Sequence, residues 1–122
     1  MNIEAAFYQF LNNNSAVTDF FNDIEPHKRT KPLPMLTYRF ISYPGIYEVG
    51  LKFPRVQFDI WGNTYSEIKQ GRVLMLDELH DWRGNMNGVS VKNIVLMSEQ
   101  EDHEEELDIW RQIMDFKIIF LK

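Results

Sequence analysis

Residues 54–79, PRVQFDIWGNTYSEIKQGRVLMLDEL, contain a strand and a helix that are joined by a single glycine hinge. In the first part of this stretch apolar and polar side chains alternate, which is the period of a strand with one buried face. Gly62 interrupts the alternation. Thr64 precedes Glu67 by three residues, which is the spacing of a capping box, so we predict a helix over residues 64–80. Gly71 lies in the middle of that helix and predicts close packing of the helix on a sheet.

The remaining elements follow from the same two periodicities. We predict two short N-terminal helices at residues 2–13 and 15–21, a first strand at residues 35–42, a third strand at residues 89–96 that changes face near Asn93, and a last strand at residues 108–121. Proline and turn residues fill residues 25–34 and 81–88, which are predicted loops. The sequence therefore predicts an α+β fold. Its antiparallel four-stranded sheet consists of two hairpins, and the long helix and the N-terminal helices pack on one face.

Composition bounds the class of protein. A chain of 122 residues with 44% hydrophobic residues is predicted to form one globular domain over residues 1–122. The absence of cysteine excludes disulfides and thiolate chemistry. No apolar run approaches the roughly 20 residues that cross a bilayer, and the N-terminus has no signal-peptide pattern, so we expect no membrane partner. A net charge of −5 argues against binding of the nucleic-acid backbone.

The strongest charge signal is the acidic segment, residues 99–106. Its acidic side chains are Glu99, Glu101, Asp102, Glu104, Glu105 and Glu106, and Asp108 follows closely. A calcium loop would need a glycine and a different spacing of its oxygen ligands. We therefore interpret the acidic segment as a solvated loop at a hairpin tip. In functional terms it predicts a negatively charged surface that faces a partner or an aqueous channel.

Other side chains give little support to a catalytic or metal site. His27, His80 and His103 lie in three different segments, and none forms a metal-binding pair on a helix. The serines lack a nucleophile elbow, and no glycine-rich phosphate loop precedes a helix. Asp59 and Asp115 lie at comparable places on two strands, where two carboxylates can share an acid–base role. The sequence predicts no enzyme, no catalytic residues, no metal and no cofactor.

The strand pattern gives Asp59 and Asp115 a more ordinary role. Both lie on the face opposite the apolar stripe, so we expect them to form ion pairs across the sheet. The candidate cationic partners are Arg39, Arg55, Arg111 and Lys117.

Two further segments are candidate contact surfaces. Large apolar side chains crowd the predicted tip of the first hairpin; they are Tyr43, Ile46, Tyr47, Leu51 and Phe53. They form either an exposed interaction surface or a tip that folds back on the body, and the sequence leaves both open. The basic segment, residues 27–31 (HKRTK), has no interleaved aromatic residues, which weakens a role in nucleic-acid stacking. A partner-contacting arm is the alternative.

The ordered motifs resemble one family over almost the whole chain. They are PMLTYRFI at residues 34–41, VQFDIW at residues 56–61, the Thr64-Tyr65 helix start, WRG at residues 82–84, NGV at residues 87–89 and MDF at residues 114–116. In this order they resemble the tail-completion or tail-terminator proteins of long-tailed phages. The loop before the last strand departs from the family, because DHEEEL at residues 102–107 stands where relatives often have a turn of tyrosine, aspartate and glycine.

The resemblance implies a virion structural protein that is assembled in the host cytoplasm. Members of the family form a ring, commonly a hexamer, at the head-proximal end of the tail tube. The ring closes tail growth and docks on the head connector or stopper protein, and DNA passes through its lumen without specific binding. The family has no catalytic site. An acidic chain suits a channel that must not grip DNA. The alternatives are a head-completion adaptor on the portal side, a cytoplasmic protein-binding α+β domain unrelated to phages, and a small enzyme.

Overall fold

A computed structural model describes residues 2–22, 24–26, 32–42, 45–46 and 50–121. The helices are α1 (Ile3–Asn12), α2 (Ser15–Phe20) and α3 (Tyr65–Leu79), and the strands are β1 (Ile24–Pro26), β2 (Met35–Ser42), β3 (Gly45–Ile46), β4 (Leu51–Lys52), β5 (Arg55–Gly62), β6 (Gly84–Met86), β7 (Val89–Glu104) and β8 (Ile109–Leu121). The three predicted helices and the four predicted strands are all present. β7 is longer than predicted, because it continues through residues 97–104.

Helix caps explain where α2 and α3 begin. The Thr64 hydroxyl accepts the backbone N–H of Glu67 at 3.1 Å, as the capping box predicts. The Glu67 carboxylate reaches one residue further than predicted, to the N–H of Asn63 at 2.7 Å. At α2 the cap is Asn14, whose side chain accepts the N–H of Val17 at 3.2 Å.

The sheet order shows that several short strands continue longer ones. β2 and β8 flank β5 in antiparallel register, and β8 pairs with β7 on its other side. β3 and β4 pair with each other, and β4 also pairs with the end of β8, so they extend β2 and β5. At the edges β1 adds parallel to β2, and β6 adds to β7. The α+β class and the two antiparallel hairpins are confirmed, whereas the count of four strands is too low.

All three helices pack on one face of the sheet, where the core lies. Phe7 of α1, Phe58 of β5 and Phe116 of β8 are fully buried, with ring centroids 5.6 Å apart for Phe7 and Phe58 and 5.7 Å for Phe58 and Phe116. Close packing at Gly71 is confirmed, since a Cβ there would lie 2.9 Å from Cγ2 of Ile60 on β5. Within the described ranges no helix packs on the opposite side of the sheet, which we call the helix-free face.

Local irregularities set the shape of the β6–β7–β8 region. Asn87 and Gly88 have φ angles of 49° and 96° and join β6 to β7 as a two-residue hairpin turn. Residues 84–86 therefore form a strand and not the predicted loop. The register of β7 shifts between Val91 and Asn93, which confirms the predicted change of face, and shifts again between Leu96 and Ser98.

Candidate interaction surfaces

Most of the acidic segment forms strand rather than the predicted loop. β7 runs to Glu104, and the turn to β8 begins only at Glu105. Because successive residues of a strand face opposite sides, the acidic residues divide between the two faces of the hairpin. Glu99 and Glu101 face α3, whereas Asp102 lies opposite Arg111 on the helix-free face.

The two acids that face α3 belong to a polar cluster. Arg72 donates to both carboxylate oxygens of Glu99, from Nη2 at 3.1 Å, and Lys69 Nζ lies 3.2 Å from Oε2 of Glu101. Gln112, which is only 1% exposed, accepts from Lys69 at 2.8 Å and donates to Glu99 at 3.3 Å. The hydrogen bond to Glu99 raises the pKa of the Arg72 guanidinium, against a smaller opposing effect of burial. These contacts hold the hairpin against α3, so Glu99 and Glu101 have a structural role.

Aromatic stacking fixes the end of the hairpin. The His103 ring stacks on Trp110 with centroids 4.1 Å apart and an interplanar angle of 20°. Trp110 packs edge-on against Tyr65 of α3 at 5.3 Å, and His103 Nε2 lies 2.8 Å from the carboxylate of Asp108. Beyond this stack the side chains of Glu104, Glu105 and Glu106 are exposed to solvent. They are acidic side chains at the end of the hairpin that a partner can reach.

On the helix-free face, Asp59 and Asp115 form the predicted ion pairs. Arg111 donates to Asp59 at 2.9 Å, and Arg55 pairs with Asp115. The two carboxylates retain only 16% and 14% of their side-chain exposure although no helix covers this face. Since each aspartate is bound to a guanidinium, the pair does not have the arrangement of a shared acid–base site.

One ion pair continues into an aromatic contact. The Arg111 guanidinium lies 4.8 Å from the centroid of the Trp61 ring, and Trp61 Nε1 donates to the Thr37 hydroxyl at 3.0 Å. Thr37 is 4% exposed, so the hydrogen bond satisfies a buried hydroxyl. These side chains line a cleft of about 320 Å³. The cation–π contact was not anticipated from the sequence, because it depends on the register of two strands that are distant in the chain.

The first predicted contact surface is only partly described. Tyr43 and Tyr47 lie outside the described residues, and of Ile46 only the backbone, in β3, is described. Leu51 and Phe53 are half-buried. Leu51 lies opposite Leu121, which is 38% exposed, on the helix-free face. This end of the sheet therefore presents apolar side chains on the face that lacks helices, although the outcome for the whole tip stays a prediction.

Some predicted features lie outside these surfaces. The basic segment and His27 fall outside the described residues. His80 caps the C-terminal end of α3, whereas His103 stacks on Trp110 near the N-terminal end of that helix. Among the residues that the structure describes, no group of three or more histidine, aspartate or glutamate side chains is arranged to hold a metal ion. Within the same residues no helix is long and apolar enough to span a membrane.

The fold defines a class of α+β proteins in which a long antiparallel sheet carries its helices on one face. No protein-family model and no curated protein sequence matches the chain. The solved structures that match include a chain from the virion of a native gene transfer agent particle. The two chains are 11% identical with a TM-score of 0.74, and the match covers 98% of this chain and 95% of the other. At that identity the likeness shows a shared fold.

Proposed function

We propose that this chain is a structural protein of a phage-like virion that forms a ring, of six copies as in the family it resembles, at the head-proximal end of the tail tube. The ring ends tail growth and joins the tail to the head connector, and DNA passes through its lumen. The observation that carries the proposal is the fold match to a chain of a gene transfer agent virion. It covers nearly the full length of both chains, so it concerns the whole subunit and not a common substructure.

The charge distribution supports a surface that is close to DNA without binding it. The net charge is −5, and the exposed acids Glu104, Glu105 and Glu106 extend from the end of a long hairpin. Such a surface repels phosphates because both are negatively charged, and it lacks the clustered lysine and arginine that DNA binding needs. A projecting acidic hairpin therefore suits a channel wall along which DNA slides.

The state of the polar residues supports a structural rather than a catalytic role. Asp59 and Asp115 are committed to Arg111 and Arg55, and Glu99 is committed to Arg72. A general acid or base needs a proton-transferring group that a substrate can reach. Ion pairs of this kind stabilise the sheet and its contact with α3 instead. We infer from this that the chain is not an enzyme.

Deletion of the gene from the phage or prophage that encodes it tests the proposal. The expected particles, seen by negative-stain electron microscopy, are DNA-filled heads without tails, together with free tails of uncontrolled length. Expression of the wild-type chain from a plasmid restores joined particles. Tails of normal length beside heads that have lost their DNA would favour the portal-side adaptor instead. Intact, infectious particles from the deletion strain would refute a virion role.

A further inference from the structure

The outer edge of β7 is closed along its first half and open along its second. β6 pairs with Val89 and the residues that follow it, up to Val91. Further along the strand, the turn after α3 occupies the edge. Asp81 N–H donates to the carbonyl of Ile94 at 2.8 Å, and Leu96 N–H donates to a ring nitrogen of His80 at 3.3 Å. Along residues 98–104, which we call the open edge, no strand or backbone group in the described part of the chain occupies that side.

Strand geometry identifies the backbone groups that the open edge offers. Ile94 and Leu96 direct their hydrogen bonds away from β8, towards the turn after α3. One residue is extra at the bulge that follows Leu96, so the outward positions resume at Glu99, Glu101 and His103. His103 N–H already donates to its neighbour Asp102 at 2.9 Å. No hydrogen bond from the described residues occupies the other outward N–H and C=O groups, which can therefore bind an added strand, as in β-augmentation.

The charges along the open edge decide which strand can add to it. The edge carries Glu99, Glu101, Asp102 and Glu104 within seven residues, and the turn adds further acids. Arg72 and Lys69 compensate Glu99 and Glu101, so the exposed Asp102 and Glu104 set the charge that an added strand meets. The same edge of a second copy would place like charges opposite one another, which is destabilising. A strand with cationic side chains is favoured instead.

The chain itself contains such a segment in its sequence. The basic segment, residues 27–31, has three cationic residues among five and follows β1 directly in the sequence. β1 is the edge strand next to β2, and β7 lies near the opposite edge, beyond β8. We propose that the open edge binds the basic segment of a second copy of this chain, so that copies join head to tail. The inference rests on the proposed ring and names its subunit interface.

Head-to-tail pairing has the symmetry that a ring needs. The two contacting surfaces are different patches of one chain, so each copy offers one to each neighbour. Such an interface generates a closed ring when the rotation between neighbours closes. Pairing through one shared patch would stop at a dimer. An acidic open edge on one side of the sheet, and a basic segment that follows the edge strand β1 in the sequence, therefore fit a ring better than a pair.

The absence of native cysteine makes the interface testable by disulfide cross-linking. Thr30→Cys and Gln100→Cys place one thiol in the basic segment and one on the open edge without changing any charge. The double variant, oxidised in solution and in assembled particles, is expected to give a ladder of covalent oligomers on a non-reducing gel. In an equal mixture of the two single variants, nearly all dimers should be mixed, against one half for random pairing.

Three controls separate pairing at the open edge from random collision. Ser90→Cys replaces Gln100→Cys on the closed part of the same strand and should reduce the ladder at least tenfold. Adding Glu101→Pro removes an outward N–H at a position where a strand edge tolerates proline and should abolish the ladder, whereas Glu101→Gln, which loses the same ion pair with Lys69 but keeps the N–H, should retain most of it. Raising the salt from about 0.1 M to about 1 M shortens the screening length from about 10 Å to about 3 Å and should weaken the ladder.

Each other outcome overturns the interface. Equal ladders from the Ser90→Cys control, an excess of Gln100→Cys homodimers, or no ladder in either sample would each do so. Cross-linking of Gln100→Cys to a different virion protein would show that the open edge binds another partner. Since gene deletion tests the ring itself, a deletion phenotype of unjoined heads and tails without a ladder would leave the proposed function standing and remove this interface.

Discussion

The approach of α3 to the sheet gives the sharpest stability prediction, at Gly71. A Cβ at this position would lie 2.9 Å from Cγ2 of Ile60 and 3.3 Å from a ring carbon of Phe20. Carbon atoms prefer separations of about 3.5–4.0 Å, and Ile60 is fully buried, so a shift of its methyl group disturbs the packing of the core. Overpacking costs about 1–3 kcal/mol, whereas alanine gains about 1 kcal/mol of helix propensity over glycine. We expect Gly71→Ala to lower the free energy of unfolding by about 1 kcal/mol.

Urea unfolding followed by circular dichroism measures this change, and Val73→Ala is the matched control. Val73 lies on the same helix and is 52% exposed, so alanine gains propensity there, by about 0.5 kcal/mol, without meeting a neighbour. A double-mutant cycle isolates the contact. In the Ile60→Ala background the clash is absent, and we expect Gly71→Ala to be neutral or stabilising by up to about 1 kcal/mol.

Two results would refute the reasoning. If Gly71→Ala stabilises the protein as much as Val73→Ala does, the helix does not approach the sheet as closely as the structure has it. If Gly71→Ala destabilises equally with and without the Ile60 side chain, the cost arises from another contact, and Phe20 becomes the next position to truncate.

Three further predictions concern the cap and the two polar clusters, and all use the same urea assay. Thr64→Ala should cost about 1 kcal/mol through loss of the α3 cap, whereas Thr64→Ser should be nearly neutral; equal losses would exclude capping as the cause. Asp59→Asn should cost about 1–2 kcal/mol because Arg111 loses its carboxylate, whereas Asp102→Asn, at an exposed site on the same face, should stay within about 0.5 kcal/mol. Arg72→Met should cost up to about 1 kcal/mol, and equally at pH 7 and pH 9. Because folding raises the pKa of Arg72, the contribution of this residue to the free energy of unfolding is fully present at any pH below its unfolded-state pKa, which lies far above neutral pH. A cost that differs between pH 7 and pH 9 would contradict this.

Elements with a strong local pattern could be predicted from the sequence. The alternation from Arg55 to Gly62 and the cap at Thr64 depend on neighbouring residues, and the structure has a strand over the alternation and a helix within a residue of its predicted bounds. The short strands β1 and β6 could not be predicted, because three residues carry no periodicity and become a strand only by pairing with a longer one. Ion pairs of Asp59 and Asp115 were predictable as a class, but the choice of Arg111 and Arg55 depends on strand register.

The acidic segment shows why charge alone predicts the wrong local structure. Acids on both sides of the strand remove the apolar alternation, so residues 98–104 have the sequence pattern of a solvated loop. The charge of Glu99 and Glu101 is compensated from α3, by Arg72 and Lys69, which lie far away in the sequence. With Arg72 and Lys69 as partners, the acidic residues up to Glu104 continue β7 along β8, and the outer edge of this part of β7 is open.

An open strand edge normally exposes a protein to uncontrolled pairing with other copies, and charged side chains are a common protection. Here the acids that remove the strand pattern from the sequence also disfavour pairing of the open edge with the same edge of a second copy. They leave the backbone groups of the edge available to a cationic strand. The acidic segment thus selects the partner of the open edge, in addition to repelling DNA from the proposed channel. These two roles fall on different residues: Asp102 lies along the open edge with an exposed side chain, whereas Glu105 and Glu106 lie in the turn. Neutralising the turn acids should therefore leave the cross-linked ladder intact, and loss of the ladder in a Glu105→Gln/Glu106→Gln variant would show that the two roles are not separate.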